Sequence, residues 1–462
     1  MAQPILHGVE VQAKALRNGQ ALPFFDLIDR EIVEEALKEE NLKFRIRVYT
    51  PLITLWTFMT QVLDSDHSCR KAVRSLIAFL VSQGQPAVSA DTSNYCKARK
   101  RLPLNFIVRL VRKIAELLDE KACPQWRWNG REVYLVDGSS ASMPDTTENQ
   151  RAYPQPANQK AGVGFPLARF VAIISLATGA VRDLAIGPSK GKRTGETSLL
   201  RRMMARIKAG SILVGDRSFA SYFGIAQLLQ EQVDGVFRMH QRRKLDFRRG
   251  RCLGIADHVV RWQKPERPEW MDEATYALMP QEICVRELRF KITQAGYRVH
   301  EITLVTTLLD PIVYTLDDLA KLYLGRWNAE LDLRSIKIVM QMDVLRCKTP
   351  DLVDKEIWVH MLVYNVVRQL MAKAAADSDA EPRQISFKGT LQALTAFRET
   401  IRTADPQHQG QLWQAMFAAI AYDRVGNRPG RIEPRAKKRR PKQYDLLNTT
   451  RAEARNRLRK AG

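Results

Sequence analysis

Apolar residues recur at helical spacing through the first ~128 residues of the chain. Glu31–Leu42 sets apolar residues among charged ones at i, i+3, i+4 intervals, and Arg70–Ser82 and Asn105–Leu118 repeat the pattern. Pro51 suits the first position of a helix, where its missing N–H leaves nothing unpaired, and the apolar run Leu52–Leu63 follows. Ser89 is placed to cap a further helix that Pro103 closes. Lys97, Arg99, Lys100 and Arg101 make one end of that helix basic. Two readings fit it: a helix-turn-helix element touching DNA, or a solvated helix end.

From Arg131 the texture changes to short buried strands. Val133–Val136 is one; Phe170–Leu176, a Thr178-Gly179 turn and Val181–Ile186 predict a hairpin. Helix Glu196–Ala209, strand Ser211–Val214, helix Ser221–Gln230 and the extended run Gly235–Met239 complete an alternation that predicts an α/β core. Residues 240–300 read as an insertion. They open with a basic loop (Arg242, Arg243, Lys244, Arg248, Arg249 and Arg251 around Asp246) and continue in period-two runs, Ile283–Ile292 and Tyr297–Thr306. Helix returns from Tyr314 through Ile338, then over Leu352–Ala376 and Phe387–Thr403. No repeat of 20–50 residues is present.

Charge narrows the function. Lys+Arg 73 against Asp+Glu 50 gives +23 on 462 residues, which points to a polyanionic partner and excludes an acidic solvating protein. Within Arg424–Gly462, fourteen Lys and Arg face three acidic residues, a net of +11. Arg-Pro and Pro-Lys pairs break any continuous helix across Arg428–Lys442, so this tail reads as a flexible polycation for phosphates. No run approaches the roughly 18 apolar residues of a membrane span, and no secretory signal is read at Met1–Arg17. Cys69, Cys96, Cys123, Cys252, Cys284 and Cys347 show no C-x2-C spacing, so they read as reduced packing cysteines of a cytosolic protein. His67 beside Cys69 is the nearest approach to a ligand pair.

Acidic residues at strand ends carry the candidate chemistry. Asp137 follows Val133–Val136, with Gly138-Ser139-Ser140 expected to turn the chain sharply. Asp216 follows Ile212–Gly215 in the same way. An Asp after a strand is commonly a turn or cap residue. Two in one α/β segment of a basic protein favour a metal site at the carboxyl edge of the sheet. In Lys321–Lys337, positions Tyr323, Arg326, Glu330, Arg334 and Lys337 fall within roughly 80° of one face if the segment is a single ideal helix. A core-facing stripe would be apolar there. The alternative is a solvated face laced by Arg326–Glu330 and Glu330–Arg334 pairs.

The spacing Tyr323-x2-Arg326-x3-Glu330-x6-Lys337 resembles the YREK signature of cut-and-paste DDE transposases of bacterial insertion sequences, the insertion-sequence-four family. Asp137 in Leu-Val-Asp-Gly-Ser and Asp216 in Val-Gly-Asp-Arg-Ser-Phe resemble that family's other two catalytic motifs, in the same order. The match runs from about Val133 to Lys337, with the β-rich insertion between the second Asp and the Glu. Asn328 and Ala329 depart from the apolar residues more usual there.

The resemblance implies an RNase-H-like catalytic core at 129–345, with Asp137 on the first strand, Asp216 after the fourth and Glu330 on a following helix. An all-α DNA-binding domain at 1–128 precedes the core. A helical region at 346–423 and the basic tail at 424–462 follow it. Phosphoryl transfer of this type uses two divalent ions about 3.5–4 Å apart. Carboxylate oxygens suit Mg²⁺, with Mn²⁺ able to substitute, so Asp137, Asp216 and Glu330 are the expected ligands. Tyr323, Arg326 and Lys337, with Arg334 counted beside them, would hold DNA phosphate. Trp262, with Trp270 as alternative, would stack on a flipped base, unless either is simply a core aromatic. The implied activity is binding of terminal inverted repeats, metal-dependent cutting at transposon ends and joining of the 3′ ends to target DNA. It would be performed by a homodimer on double-stranded DNA, in the bacterial cytoplasm at the nucleoid. The rivals are a non-catalytic DNA-binding relative and an RNase-H-like nuclease that cuts without joining.

Overall fold

The computed structural model describes residues 28, 30–40, 48–292, 301–426 and 445–461. The helices, in chain order, are α1 (Arg30–Glu39), α2 (Pro51–Leu63), α3 (Cys69–Ser82), α4 (Ser93–Arg101), α5 (Leu104–Glu120), α6 (Thr147–Ala152), α7 (Glu196–Arg201), α8 (Tyr222–Gln230), α9 (Glu273–Leu278), α10 (Leu316–Leu324), α11 (Trp327–Arg334), α12 (Pro350–Ala376), α13 (Phe387–Thr403), α14 (Pro406–Tyr422) and α15 (Arg451–Ala461). The strands are β1 (Val133–Ser142), β2 (Leu167–Ser175), β3 (Val181–Pro188), β4 (Ile212–Gly215), β5 (Asp234–Arg238), β6 (Arg251–Gly254), β7 (Asp257–Gln263), β8 (Glu282–Lys291) and β9 (Glu301–Thr306). The fold is mixed α/β, with a large sheet and many helices.

Two compact units divide the chain: 1–133, 172–184 and 328–425 form one, and 134–171, 185–327 and 426–462 the other. The first is mainly helical. Its axis is α12, which starts at Pro350 after Thr349 and is apolar nearly all round. A helix with that pattern is a core helix. Asn365 bolts it in place: its Oδ1 accepts from Val181 N at 2.8 Å, and its Nδ2 donates to Val181 O at 2.9 Å and Val111 O at 3.1 Å. Pro51 starts α2 as expected, with Thr50 accepting from Ile53 N at 3.3 Å.

The basic helix corrects one expectation. Thr92, not Ser89, stands at the cap position of α4. Ser89 accepts from Asp91 N instead, at 3.2 Å. Arg99 is turned inward and buried, so the exposed basic end consists of Lys97, Lys100 and Arg101. Asn94, Lys97 and Arg101 line a groove of about 490 Å³ with Val48, Tyr49 and Val88.

Buried His360 gives this unit a pH dependence. Its Nδ1–H donates to Glu356 O at 2.7 Å, and burial holds the imidazole down at about 3. Because the unfolded value is near 6.5, the stabilising difference is complete above about pH 6.5. It is lost as the unfolded chain alone takes the proton on descent towards pH 3. That single group should cost about 2 kcal/mol of stability by pH 5. In urea unfolding, His360→Asn should show a smaller loss between pH 7 and pH 5 than the parent; equal losses would contradict the assignment.

The strands form one nine-stranded sheet in the order β3-β2-β1-β4-β5-β9-β8-β7-β6. β4 and β5 pair in parallel. From β5 onwards every pairing is antiparallel. Residues 240–300 therefore do not build a sheet of their own: β9 returns to β5 and the meander β9-β8-β7-β6 extends the same sheet. The expected strand start at Tyr297 lies outside the described residues. The predicted helix Glu196–Ala209 stops at Arg201, and a 3₁₀ turn over Met204–Arg206 follows. The expected break across Arg428–Lys442 also lies outside the described residues; downstream, Arg451–Ala461 is helical. No described helix is long and apolar enough to cross a membrane.

Candidate active site

β1 does not turn at Gly138. Extended backbone runs through Asp137 and on to Ser142, so Asp137 sits inside the strand rather than after it. Burial changes there instead: Val133–Val136 is core, and the chain from Asp137 to Ser140 is half-buried. Asp137 Oδ1 accepts from Gly138 N at 2.9 Å. Asp216 follows β4 directly, as expected. Its Oδ1 accepts from Ser218 N at 2.8 Å and from Ser218 Oγ at 2.5 Å, which fixes the carboxylate beside the strand end. β1 and β4 are neighbours, and a Cβ on Gly215 would lie 2.8 Å from Val136 Cγ1. Gly215 and Val136 are the residues before the two aspartates, so both carboxylates rise from one point of the sheet.

Three further groups complete the surroundings within this unit. Arg326 Nη1 lies 3.8 Å from Asp137 Oδ2. Tyr323 is buried, and burial raises its phenol pKa while Arg326 and Arg238 pull it down; Asp216 faces it too. Glu196, at the start of α7, packs its carboxyl group against Gly138, where a Cβ would come within 2.4 Å of Oε1. Burial raises the Glu196 pKa, Asp216 adds to the rise and Arg169 opposes it. The structure thus brings together Asp137, Asp216, Tyr323 and Arg326, and adds Glu196, Arg169 and Arg238. No local pattern marks these last three; their roles come from pairing between strands and helices distant in sequence.

The single-helix reading of Tyr323–Lys337 is overturned. α10 ends at Leu324, Gly325 and Arg326 form a turn, α11 runs from Trp327 to Arg334, and Ser335–Val339 is a π-turn. Gly325 is a poor helix former, and a π-turn carries more residues per turn than an α-helix, so 100° steps do not hold across the segment. Tyr323 is consequently turned inward, while Arg334 is exposed and Lys337 half-exposed. Glu330 lies in the first turn of α11, in the helical unit. That helix is anchored by its other face. Asp332 is 1% exposed and pairs with Arg368 and, at 2.6 Å, with Arg383. Arg383 also donates to the carbonyls of Ser175 and Leu176. Among the described residues, no three His, Cys, Asp or Glu side chains stand close enough together to hold a metal ion.

Trp262 stands apart on β7. It is 4% exposed, and its indole N–H donates to Glu287 Oε1 at 2.8 Å. The Arg243 guanidinium lies over its ring, 3.4 Å from the centroid. Trp270 is covered likewise by Arg201, at 3.7 Å.

The region that holds these carboxylates is also where the chain matches a known family. Residues 128–366, half of the chain, match the model described as transposase DDE domain. The chain belongs to the transposase DDE domain family. The transposase is 26% identical over 428 residues to "Transposase InsG for insertion sequence element IS4" of Escherichia coli (strain K12), covering 91% of this chain and 92% of that protein. A cryo-EM structure of the piggyBac transposase synaptic complex with hairpin DNA aligns over 85% of this chain and 84% of its own, at 12% identity and a TM-score of 0.41. The expected membership of the DDE transposases therefore stands. The chain is a DDE-type DNA transposase, an enzyme of DNA nicking and strand transfer, and such enzymes generally use divalent metal ions.

Proposed function

We propose that this transposase binds the terminal inverted repeats of its own element, cuts there, and joins the freed 3′ ends to target DNA as a homodimer at the bacterial nucleoid. Asp137, Asp216 and Glu330 are its catalytic carboxylates in an RNase-H-like core at 129–345. The observation that carries this reading is Asp137 on β1 and Asp216 directly after the neighbouring β4, with Arg326 beside Asp137. Hard carboxylate oxygens such as these fit Mg²⁺ or Mn²⁺ and suit no soft metal. Two such ions, when bound, supply Lewis-acid stabilisation of the attacking and leaving oxygens.

The chain's own residues do the rest. Arg326, with its forked donor, and Lys337, as a point charge, hold the phosphate backbone, assisted by Tyr323 and Arg334. Lys97, Lys100 and Arg101 of α4, within 1–128, present a basic edge to duplex DNA, and the tail after Arg424 adds sequence-independent attraction. Trp262 serves as the stacking platform, a flipped base taking the place of Arg243.

The phosphate contacts are the exposed part of this reading. A charge-assisted bond contributes roughly 1.5–3 kcal/mol, about ten- to a hundredfold in rate. Arg326→Ala and Lys337→Ala should slow single-turnover joining by that factor with unchanged melting temperatures. Arg326→Lys should restore only part, since a point charge cannot reproduce a fork. Normal joining by both alanine variants would remove the clamp from the mechanism.

A further inference from the structure

Three of the six cysteines converge on one buried arginine of the helical unit. Arg99 of α4 is 5% exposed. Its Nη2 lies 3.4 Å from Cys69 Sγ and 3.5 Å from Cys96 Sγ; its Nη1 lies 3.7 Å from Cys347 Sγ and 3.4 Å from Gln61 Oε1. Among the described residues it makes no ion pair with a carboxylate. A buried guanidinium cannot shed its proton, so it needs an anion near it. The acceptors in contact are an amide oxygen and sulfurs; the buried Glu356 carboxyl also acts on it from beyond contact, and a sulfur in contact answers the need by ionising. The cluster is no metal site, because the guanidinium fills the place a cation would take.

The three sulfurs are not equivalent. Cys347 is buried, which raises its pKa, and Glu356 raises it further. Cys69, the first residue of α3, and Cys96, on α4, are both part-exposed, and their sulfurs share one guanidinium nitrogen, Arg99 Nη2. Cys69 and the Arg99 guanidinium hold the Cys96 thiol down at about 5. The Cys69 thiol donates to Gln61 Oε1 at 3.9 Å, which leaves Cys96 as the thiolate beside Arg99. A reachable thiolate sharing one guanidinium nitrogen with a second thiol is the arrangement of a sensor cysteine with its resolving partner.

We propose that Cys69 and Cys96 are an oxidisable dithiol held by Arg99, a redox modification site of the helical unit that responds to peroxides. The Cys96 thiolate attacks one oxygen of hydrogen peroxide; the S–O bond forms, the O–O bond breaks, and the departing hydroxide is protonated to water. The Cys69 sulfur then attacks the sulfenic sulfur; the S–S bond forms, the S–O bond breaks, and a second water leaves carrying the Cys69 proton. Two thiols are oxidised and one peroxide is reduced to two waters. The disulfide ties α3 to α4, the helix that carries the exposed Lys97, Lys100 and Arg101, and it removes the anion facing Arg99.

The test uses the full-length protein. Iodoacetamide alkylation of Cys96 is followed by peptide mass spectrometry across pH 6–8, with Tyr49, Tyr95 and Asp91 the titrating groups that face it besides Cys69 and Arg99. A thiolate already formed at pH 6 gives a flat profile, and a rate about tenfold above that of Cys96 in the urea-unfolded chain at pH 6. Limiting peroxide should yield a Cys69–Cys96 disulfide, seen as the loss of two hydrogens and reversed by dithiothreitol. Cys69→Ser should stop at a Cys96 sulfenic acid captured by dimedone. Cys96→Ser should leave Cys69 unmodified. A Cys96 rate that climbs with pH as in the unfolded chain would overturn the proposal, as would first oxidation at the exposed Cys252 or Cys284.

Discussion

Single replacement of Asp137, Asp216 or Glu330 by alanine is expected to abolish cleavage in Mg²⁺ and in Mn²⁺ while leaving binding to the transposon ends largely intact. Each substitution deletes hard oxygen donors, and no neighbouring neutral group replaces a carboxylate as a ligand for a divalent cation. End binding should survive because the substitutions leave the proposed binding surface, the basic residues of α4 and the tail, unchanged. Cleavage on labelled ends, with gel-shift binding in parallel, reads both. Asp216→Ala also loses the bonds from Ser218 N and Oγ, so its melting temperature belongs with the measurement. Near parental cleavage by any of the three would remove that residue from the catalytic set. Glu196→Gln makes a useful companion: it keeps the shape packed against Gly138 but lies outside the proposed triad, so it should retain cleavage.

The second large effect is on stability. Asp332 is buried between Arg368 and Arg383, and Arg368 is further held by the Tyr364 hydroxyl at 2.8 Å. Removing one partner of a buried ionic group leaves uncompensated charge and costs about 3–5 kcal/mol. Asp332→Ala strands two guanidiniums and should fall in that range by denaturant unfolding. Arg383→Gln leaves the Asp332–Arg368 pair intact and should cost clearly less. Equal costs for the two variants would show that the network is not organised around Asp332. Because Asp332 stands two residues after Glu330 on α11, its loss also frees the helix that carries the proposed third carboxylate.

The sequence carried the element types well where the pattern was local. Proline marked the start of α2, and short apolar runs marked β1, β2, β3 and β4. Phe387–Thr403 fell at the expected bounds. What misled was the behaviour of short polar segments. Gly138-Ser139-Ser140 has turn composition, yet pairing within the sheet keeps it extended. The spacing from Tyr323 to Lys337 was legible as a motif, but a helix wheel cannot anticipate a break at Gly325 or a π-turn at Ser335–Val339. α14 was not distinguished from its surroundings, and the partners of Asp332 lie on α12 and beyond it in the chain. Such partners are chosen by tertiary packing, which periodicity does not encode. Arg99 shows the converse: a residue counted with a basic surface proved to be the buried centre of a thiol cluster.

The most direct test of the carboxylate assignment bypasses cleavage altogether. Transposon ends already cut to expose 3′-hydroxyls are bound to the protein, Mg²⁺ is added, and a single turnover of joining to target DNA is followed. The account predicts joined product from the parent protein. It predicts none from Asp137→Ala, Asp216→Ala or Glu330→Ala, although all four proteins bind the ends. Joining by any of these variants at the parental rate, or cutting without joining by the parent, would contradict it.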